Sequence, residues 1–158
     1  MRAGNRDRVQ CKRRRGDKLG GLRLLGLKAP MSEEAQTSIG VKNHFALKAL
    51  WNGVGSHDDI VRVAHALNVG LVLCELGVGE KYLPEVQAAQ NALVGIATRS
   101  RELGRWTLNE VEYRAICAGL EVHDAQLELA SVKEIATAEE EIVRRASHGD
   151  VISAKGVS

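Results

Sequence analysis

Residues 56–79 read SHDDIVRVAHALNVGLVLCELGVG. Ser56 is a good helix N-cap, and Asp58 and Asp59 stand in the turn that follows, where the helix dipole favours negative charge. Ile60, Val63, Leu67, Leu71, Cys74 and Val78 then recur at spacings of three or four, which is one helix face. Val61, Val69, Val72, Leu73 and Leu76 widen the apolar surface well beyond a stripe. A helix apolar over so much of its circumference belongs at the centre of its domain. Gly77 and Gly79 end it.

Helical patterning continues on both sides. Upstream, residues 41–52 offer Phe45, Leu47, Ala49, Leu50 and Trp51 as apolar material, and Gly53-Val54-Gly55 breaks the run. Downstream, a third helix is expected over 81–103, with Pro84 in its first turn, where a missing N–H is tolerated. Its buried face is read as Leu83, Val86, Leu93 and Leu103, with Ala89 or Gln90 and Ile96 or Ala97 between them. Gly104 stops it. Thr107-Leu108-Asn109-Glu110 matches a capping box. It opens a fourth helix with apolar positions Leu108, Val111, Ala115, Ala118, Val122, Ala125, Leu129, Val132 and Ala136. Unbroken to Ala146, that helix would be about 60 Å long, roughly twice what its neighbours cover. It must bend near Gly119, restart at the second capping-box match Ser131-x-x-Glu134, or project and pair with another chain.

The expected fold is therefore all-α: an antiparallel helical bundle of about four helices with a long or broken C-terminal helix. The chain has 158 residues, of which 44% are apolar and 3% aromatic, so a single core of Leu, Val, Ile and Ala is expected. The expected organisation is a disordered basic segment over 1–36, a helical bundle domain over 37–147 and a flexible tail over 148–158.

Charge divides the chain at Met31. Residues 1–30 carry ten Lys/Arg against two Asp, a net of +8, while residues 31–158 carry twelve Lys/Arg against eighteen Asp/Glu, a net of −6. The first segment has no sustained hydrophobic periodicity, and such composition cannot bury enough apolar area to offset chain entropy. Met31 is expected as the true start, with residues 1–30 as upstream sequence. The alternative is a genuine basic arm, with Lys12, Arg13, Arg14 and Arg15 as phosphate contacts, and nucleic acid is a partner only if residues 1–30 are present. Duplex binding through that arm would weaken steeply with salt and vanish on its removal.

Catalytic motifs are sparse. Cys11, Cys74 and Cys117 are widely spaced, with no CxxC pair, and read as structural thiols. His57-Asp58 and His123-Asp124 each contain the dipeptide of HD-type metal-dependent phosphohydrolases. The only Asp after the second is Asp150, so the ligand set is incomplete, and this enzyme class is the remote alternative. The segment Ile60–Val69 invites comparison with a helix-turn-helix, but a recognition helix over 70–76 would offer only Glu75 to base edges. Arg99, Arg101, Arg105 and Arg114 flank one turn and are expected to solvate it. His44, His123 and Asp124 remain as a polar surface site. No catalytic residue, metal ligand or cofactor is assigned, no segment is apolar enough to span a membrane, and a cytoplasmic setting is expected.

Several short stretches carry a resemblance: Lys42-Asn43-His44-Phe45-Ala46-Leu47, Ala66-Leu67-Asn68, Glu75-Leu76-Gly77, Gly104-Arg105-Trp106 and Glu121-Val122-His123-Asp124-Ala125-Gln126-Leu127. Over residues 31–146 the chain resembles a family of small all-helical proteins of uncharacterised function from bacterial prophages and mobile elements. The resemblance implies a bacterial cytoplasmic setting and an accessory role, and carries no activity with it. The function expected is that of a non-enzymatic accessory or protein-interaction protein. Its partner is another protein or a second copy bound through residues 120–146.

Overall fold

The computed structural model describes residues 27–150, and these form five α-helices and one short 3₁₀ turn, with no strand among them. They are α1 (Glu33–Trp51), α2 (His57–Glu75), the 3₁₀ turn Glu80–Tyr82, α3 (Leu83–Leu103), α4 (Glu110–Leu129) and α5 (Val132–His148). The all-α bundle expected from the sequence is the fold found, with its C-terminal helix broken. The basic residues Lys12–Arg15 and the tail beyond Asp150 lie outside the described residues.

Helix α2 is the central element. It packs against α1, α3, α4 and α5, and its buried residues run from Ile60 to Cys74 around most of its circumference. It is continuous through Val69 and Gly70, one buried helix as the periodicity implies, with no turn of a helix-turn-helix in it. Ser56 accepts from the Asp59 N–H while the Asp59 carboxylate accepts from the Ser56 N–H, a reciprocal cap that fixes the start.

Two boundaries differ from expectation, and at a third the restart is the alternative found. Helix α1 starts at Glu33, capped by Ser32, which accepts from the Ala35 N–H. Residues 29–36 therefore belong to the fold rather than to a disordered segment. Helix α4 is capped by Asn109 with Glu112, two residues past the expected Thr107 and Glu110. The last helix breaks at Ala130, whose backbone is extended, and restarts under the Ser131–Glu134 capping box. The break is held from outside: Pro30 bridges to Ser131, and the Val132 N–H donates to the Ala29 carbonyl at 2.9 Å. That bond satisfies one of the orphan donors of the α5 N-terminus.

After the break, α5 folds back on α2 instead of projecting. Val69, Val72 and Leu73 of α2 meet Ala138 and Ile142 of α5 in a small second core. Arg145 reinforces the seam by pairing with Glu75 of α2 and Glu141 of its own helix. The larger core joins α1, the first half of α2, α3 and α4 around Leu47, Leu67, Leu93, Ile96, Ile116 and Leu120.

Two apolar assignments are also corrected. Phe45, read as apolar material of the first helix, is 71% exposed. On α4 the buried face is Ile116, Leu120, His123, Gln126 and Leu127. The regular series beginning at Val111 lies beside it and faces outward.

Candidate functional site: a polar cleft and an outward helix face

The three residues singled out as a polar site, His44, His123 and Asp124, are neighbours in space. His44 of α1 and Asp124 of α4 meet through Nε2 and Oδ2 at 2.7 Å. Gly40, one turn before His44, lets this happen: a Cβ there would lie 3.1 Å from Asp124 Oδ1. Burial alone pushes the Asp124 carboxyl up, but the imidazoles of His123 and His44 outweigh it and hold the group below its ordinary range. The pair therefore reads as an α1–α4 tie at half-exposed positions. It lines a shallow groove with Val41 and the exposed Phe45.

His123 is not a surface residue. It is 3% exposed, its Nδ1 has no hydrogen-bond partner, and it stands 3.8 Å from Asp124 Oδ1. It belongs to a second and larger space, a cleft of about 660 Å³ between α1 and α5, floored by α2 and α4. Ile39 and Val61 form its apolar walls toward the N-terminal side, and Val69, Leu127 and Ile135 form them toward α5. Asn43 of α1 also lines it. This residue is 4% exposed and its Nδ2 has no partner. An unmade hydrogen bond at a buried donor costs about 1–3 kcal/mol, so the position is unusual for a purely structural amide.

Across the rim of the cleft, His65 Nε2 of α2 meets Glu139 Oε1 of α5 at 3.0 Å. The hydrogen bond to Glu139 raises the His65 pKa above 6.5 despite partial burial, and the same bond holds Glu139 below its ordinary value. The pair stabilises the fold while both groups are charged. Its contribution is full below 6.5 and above the ordinary Glu range. It is lost as pH rises through the raised His65 value, and again as pH falls through the lowered Glu139 value. Both side chains are about half exposed, so we expect only about 0.2–1 kcal/mol. Denaturant titrations of wild type and His65→Leu at several pH values should differ most at mildly acidic pH and converge in alkali.

Other expected chemistry is not assembled. His57 lies against Trp106 at the start of α2, with ring centroids 6.4 Å apart. Among the described residues no three His, Cys, Asp or Glu side chains converge as metal ligands. Arg99 makes a two-pronged pair with Glu112 and donates to the Thr107 carbonyl, while Arg114 pairs with Glu110. Burial raises the Cys74 thiol pKa, and its Sγ donates to the Gly79 carbonyl, as suits a structural thiol. Among the described residues no helix is long and apolar enough to cross a membrane. No family model, curated protein or solved structure matches the chain.

The remaining feature is the outward face of α4. Val111 is 78% exposed and Leu129 74%, with Ala115, Ala118, Val122 and Ala125 between them, half-buried or exposed. The spacings are 4, 3, 4, 3 and 4, the heptad pattern of a helix that pairs with another helix. Sequence reasoning found this series as the apolar positions of the fourth helix. It missed Asn43 and the His65–Glu139 bridge, whose only signal is polar residues on otherwise apolar faces.

Proposed function

We propose that this protein is a non-catalytic accessory protein that works as a homodimer, paired antiparallel through α4. The observation that carries this is the heptad series left facing outward, from Val111 to Leu129. The series is symmetric about Leu120. Val111 and Leu129 lie nine residues to either side, Ala115 and Ala125 five, and Ala118 and Val122 two. An antiparallel two-fold pairing thus sets Val111 against the partner's Leu129, Ala115 against Ala125 and Ala118 against Val122. This is the self-complementary contact that a two-fold dimer requires. The seam runs for about 27 Å at about 1.5 Å per residue, and the alanines allow close approach.

Charge supports the same register. On the solvent side of the seam stand Arg114, Glu121 and Glu128. Antiparallel pairing brings Arg114 near the partner's Glu128, and does so twice, while the two Glu121 carboxylates flank the axis. The expected interface lies over 111–129 rather than 120–146, because α5 is engaged with α2. The resemblance to prophage and mobile-element proteins supports an accessory role in such a setting.

Light scattering at micromolar concentration tests the reading. Val111→Glu and Leu129→Lys, each at a highly exposed position, should each give a folded monomer. The double variant should regain the dimer, because antiparallel pairing places the two new charges opposite one another. A wild-type monomer at high micromolar concentration removes the proposal. A dimer indifferent to both single substitutions moves the interface elsewhere.

A further inference from the structure

Helix α5 joins the rest of the molecule through a hinge that the local sequence does not require. Residues 120–148 contain neither proline nor glycine. The residues that leave the helix are Ala130 (φ −73°, ψ 142°) and Ser131 (φ −72°, ψ 156°). Alanine is the best helix former, and serine is no helix breaker. The break exists because groups outside the helical ladder satisfy the N–H groups that open α5. The Glu134 carboxylate accepts from the Ser131 N–H, Ser131 Oγ accepts from the Glu134 N–H, and the Ala29 carbonyl accepts from the Val132 N–H. With the hinge straight, the carbonyls of residues 127, 128 and 130 would accept from the same three groups.

We propose that α5 is an exchangeable arm: two copies straighten their hinges, and each seats its α5 in the α2 groove of the other. A straight hinge carries the 17 residues of α5 about 26 Å past the end of α4, away from their own α2. The groove left open is lined by Val69, Val72 and Leu73, with His65 and Glu75 beside it. Its fit for this occupant is seen in the closed molecule, where Ala138 and Ile142 pack into it while Glu139 and Arg145 reach His65 and Glu75. Exchange keeps all of these contacts. Apart from the cost of bringing two chains together, it changes only the hinge. The capping box and the strap at Ala29 and Pro30 are therefore what hold the closed form. This contact uses a different surface from the α4 seam and does not depend on it.

The test uses the full chain with Val111→Glu, which disables α4 pairing and keeps the two contacts distinguishable. Adding Ser131→Ala and Glu134→Ala removes the capping box and leaves two strong helix formers. Two hinges straighten in each dimer, so light scattering should give a monomer–dimer Kd at least about tenfold below that of the Val111→Glu parent. When isotope-labelled and unlabelled copies are equilibrated together, the Leu73 methyls of one copy should show NOEs to Ile142 of the other. A further Val132→Pro should restore the monomer. Proline is tolerated at the first position of α5, and Ser131 already has the backbone that suits the residue before it, but a proline interrupts a straight helix. The inference is overturned by a variant that stays monomeric at high micromolar concentration, by Leu73–Ile142 NOEs confined to one copy, or by a dimer that survives Val132→Pro. If the double substitution prevents folding, Ser131→Ala alone carries the same three outcomes with a smaller shift.

Discussion

Gly119→Ala should destabilise the protein by about 2 kcal/mol, although alanine is by itself the better helix former by nearly 1 kcal/mol. Gly119 lies in the middle of α4, where an added Cβ would sit 2.6 Å from Ala89 Cβ and 2.8 Å from Leu67 Cδ2. Both distances are below any normal carbon–carbon contact. Ala89 has no rotamer to escape through, and Leu67 is fully buried. Helix α3 must therefore move away from α4, loosening the packing of Leu93 and Ile96 with it. Gly95→Ala on α3 is the control of opposite sign. There the new Cβ would meet Glu112 Oε1 at 3.5 Å, an ordinary contact, so the variant should gain roughly 0.5–1 kcal/mol. Denaturant unfolding of the two variants measures both. Equal effects at the two glycines would show that helix propensity, and not the close approach of α3 to α4, sets their cost.

The same glycine shows what was legible in the sequence. Gly119 reads as a point for a long helix to bend, because a glycine inside a helical pattern signals weakness and nothing in one dimension reveals a neighbour. The central α2, by contrast, was readable as a central helix, although Val61 and Leu76 of its apolar reading are exposed and Val78 lies past its end. Its apolar residues cover so much of the circumference that no choice of face is needed. Its start is marked by Ser56 and Asp59, and its end by Gly77. The second capping box, Ser131 with Glu134, was readable as a restart, while the decision between restart and projection depended on Ala29 and Pro30.

On α4 the sequence misled for a definite physical reason. Two apolar series compete there. The series from Val111 to Leu129 is the more regular and wholly apolar, whereas the series that is buried includes Gly119, His123 and Gln126. Periodicity favours the first. Packing favours the second because it holds the larger side chains Ile116, Leu120 and Leu127, and because its polar members find specific surroundings. Partial legibility of the cleft follows from the same cause. His44 and Asp124 stood out as titratable groups and do pair, but an Asn on a helix face gives no sign in sequence that it lacks a partner.

Gln126 is the polar member of the buried face on which most depends. It is 1% exposed, and its Nε2 donates to the Gly70 carbonyl at 3.0 Å, to the Val78 carbonyl at 2.8 Å and to Cys74 Sγ at 3.1 Å. One side chain on α4 thus fixes the middle of α2 and the turn that leads to α3. Gly70 makes room for it, since a Cβ there would lie 3.2 Å from Gln126 Oε1. Gln126→Leu should cost about 1–3 kcal/mol, because it keeps the volume and leaves the Val78 carbonyl without its donor. Gln126→Glu should cost more, about 3–5 kcal/mol at neutral pH, since it faces a buried carboxylate with two carbonyl oxygens. The pH dependence separates the two. In the Glu variant the folded protein holds a proton that the unfolded chain releases, so the folded pKa is raised. Its deficit against wild type must therefore shrink as pH falls toward the ordinary carboxyl range, whereas the Leu deficit stays constant. Denaturant midpoints of the three proteins across that range provide the measurement. A Glu variant whose deficit does not change with pH would mean that water reaches position 126 and that the turn is not sealed by this side chain.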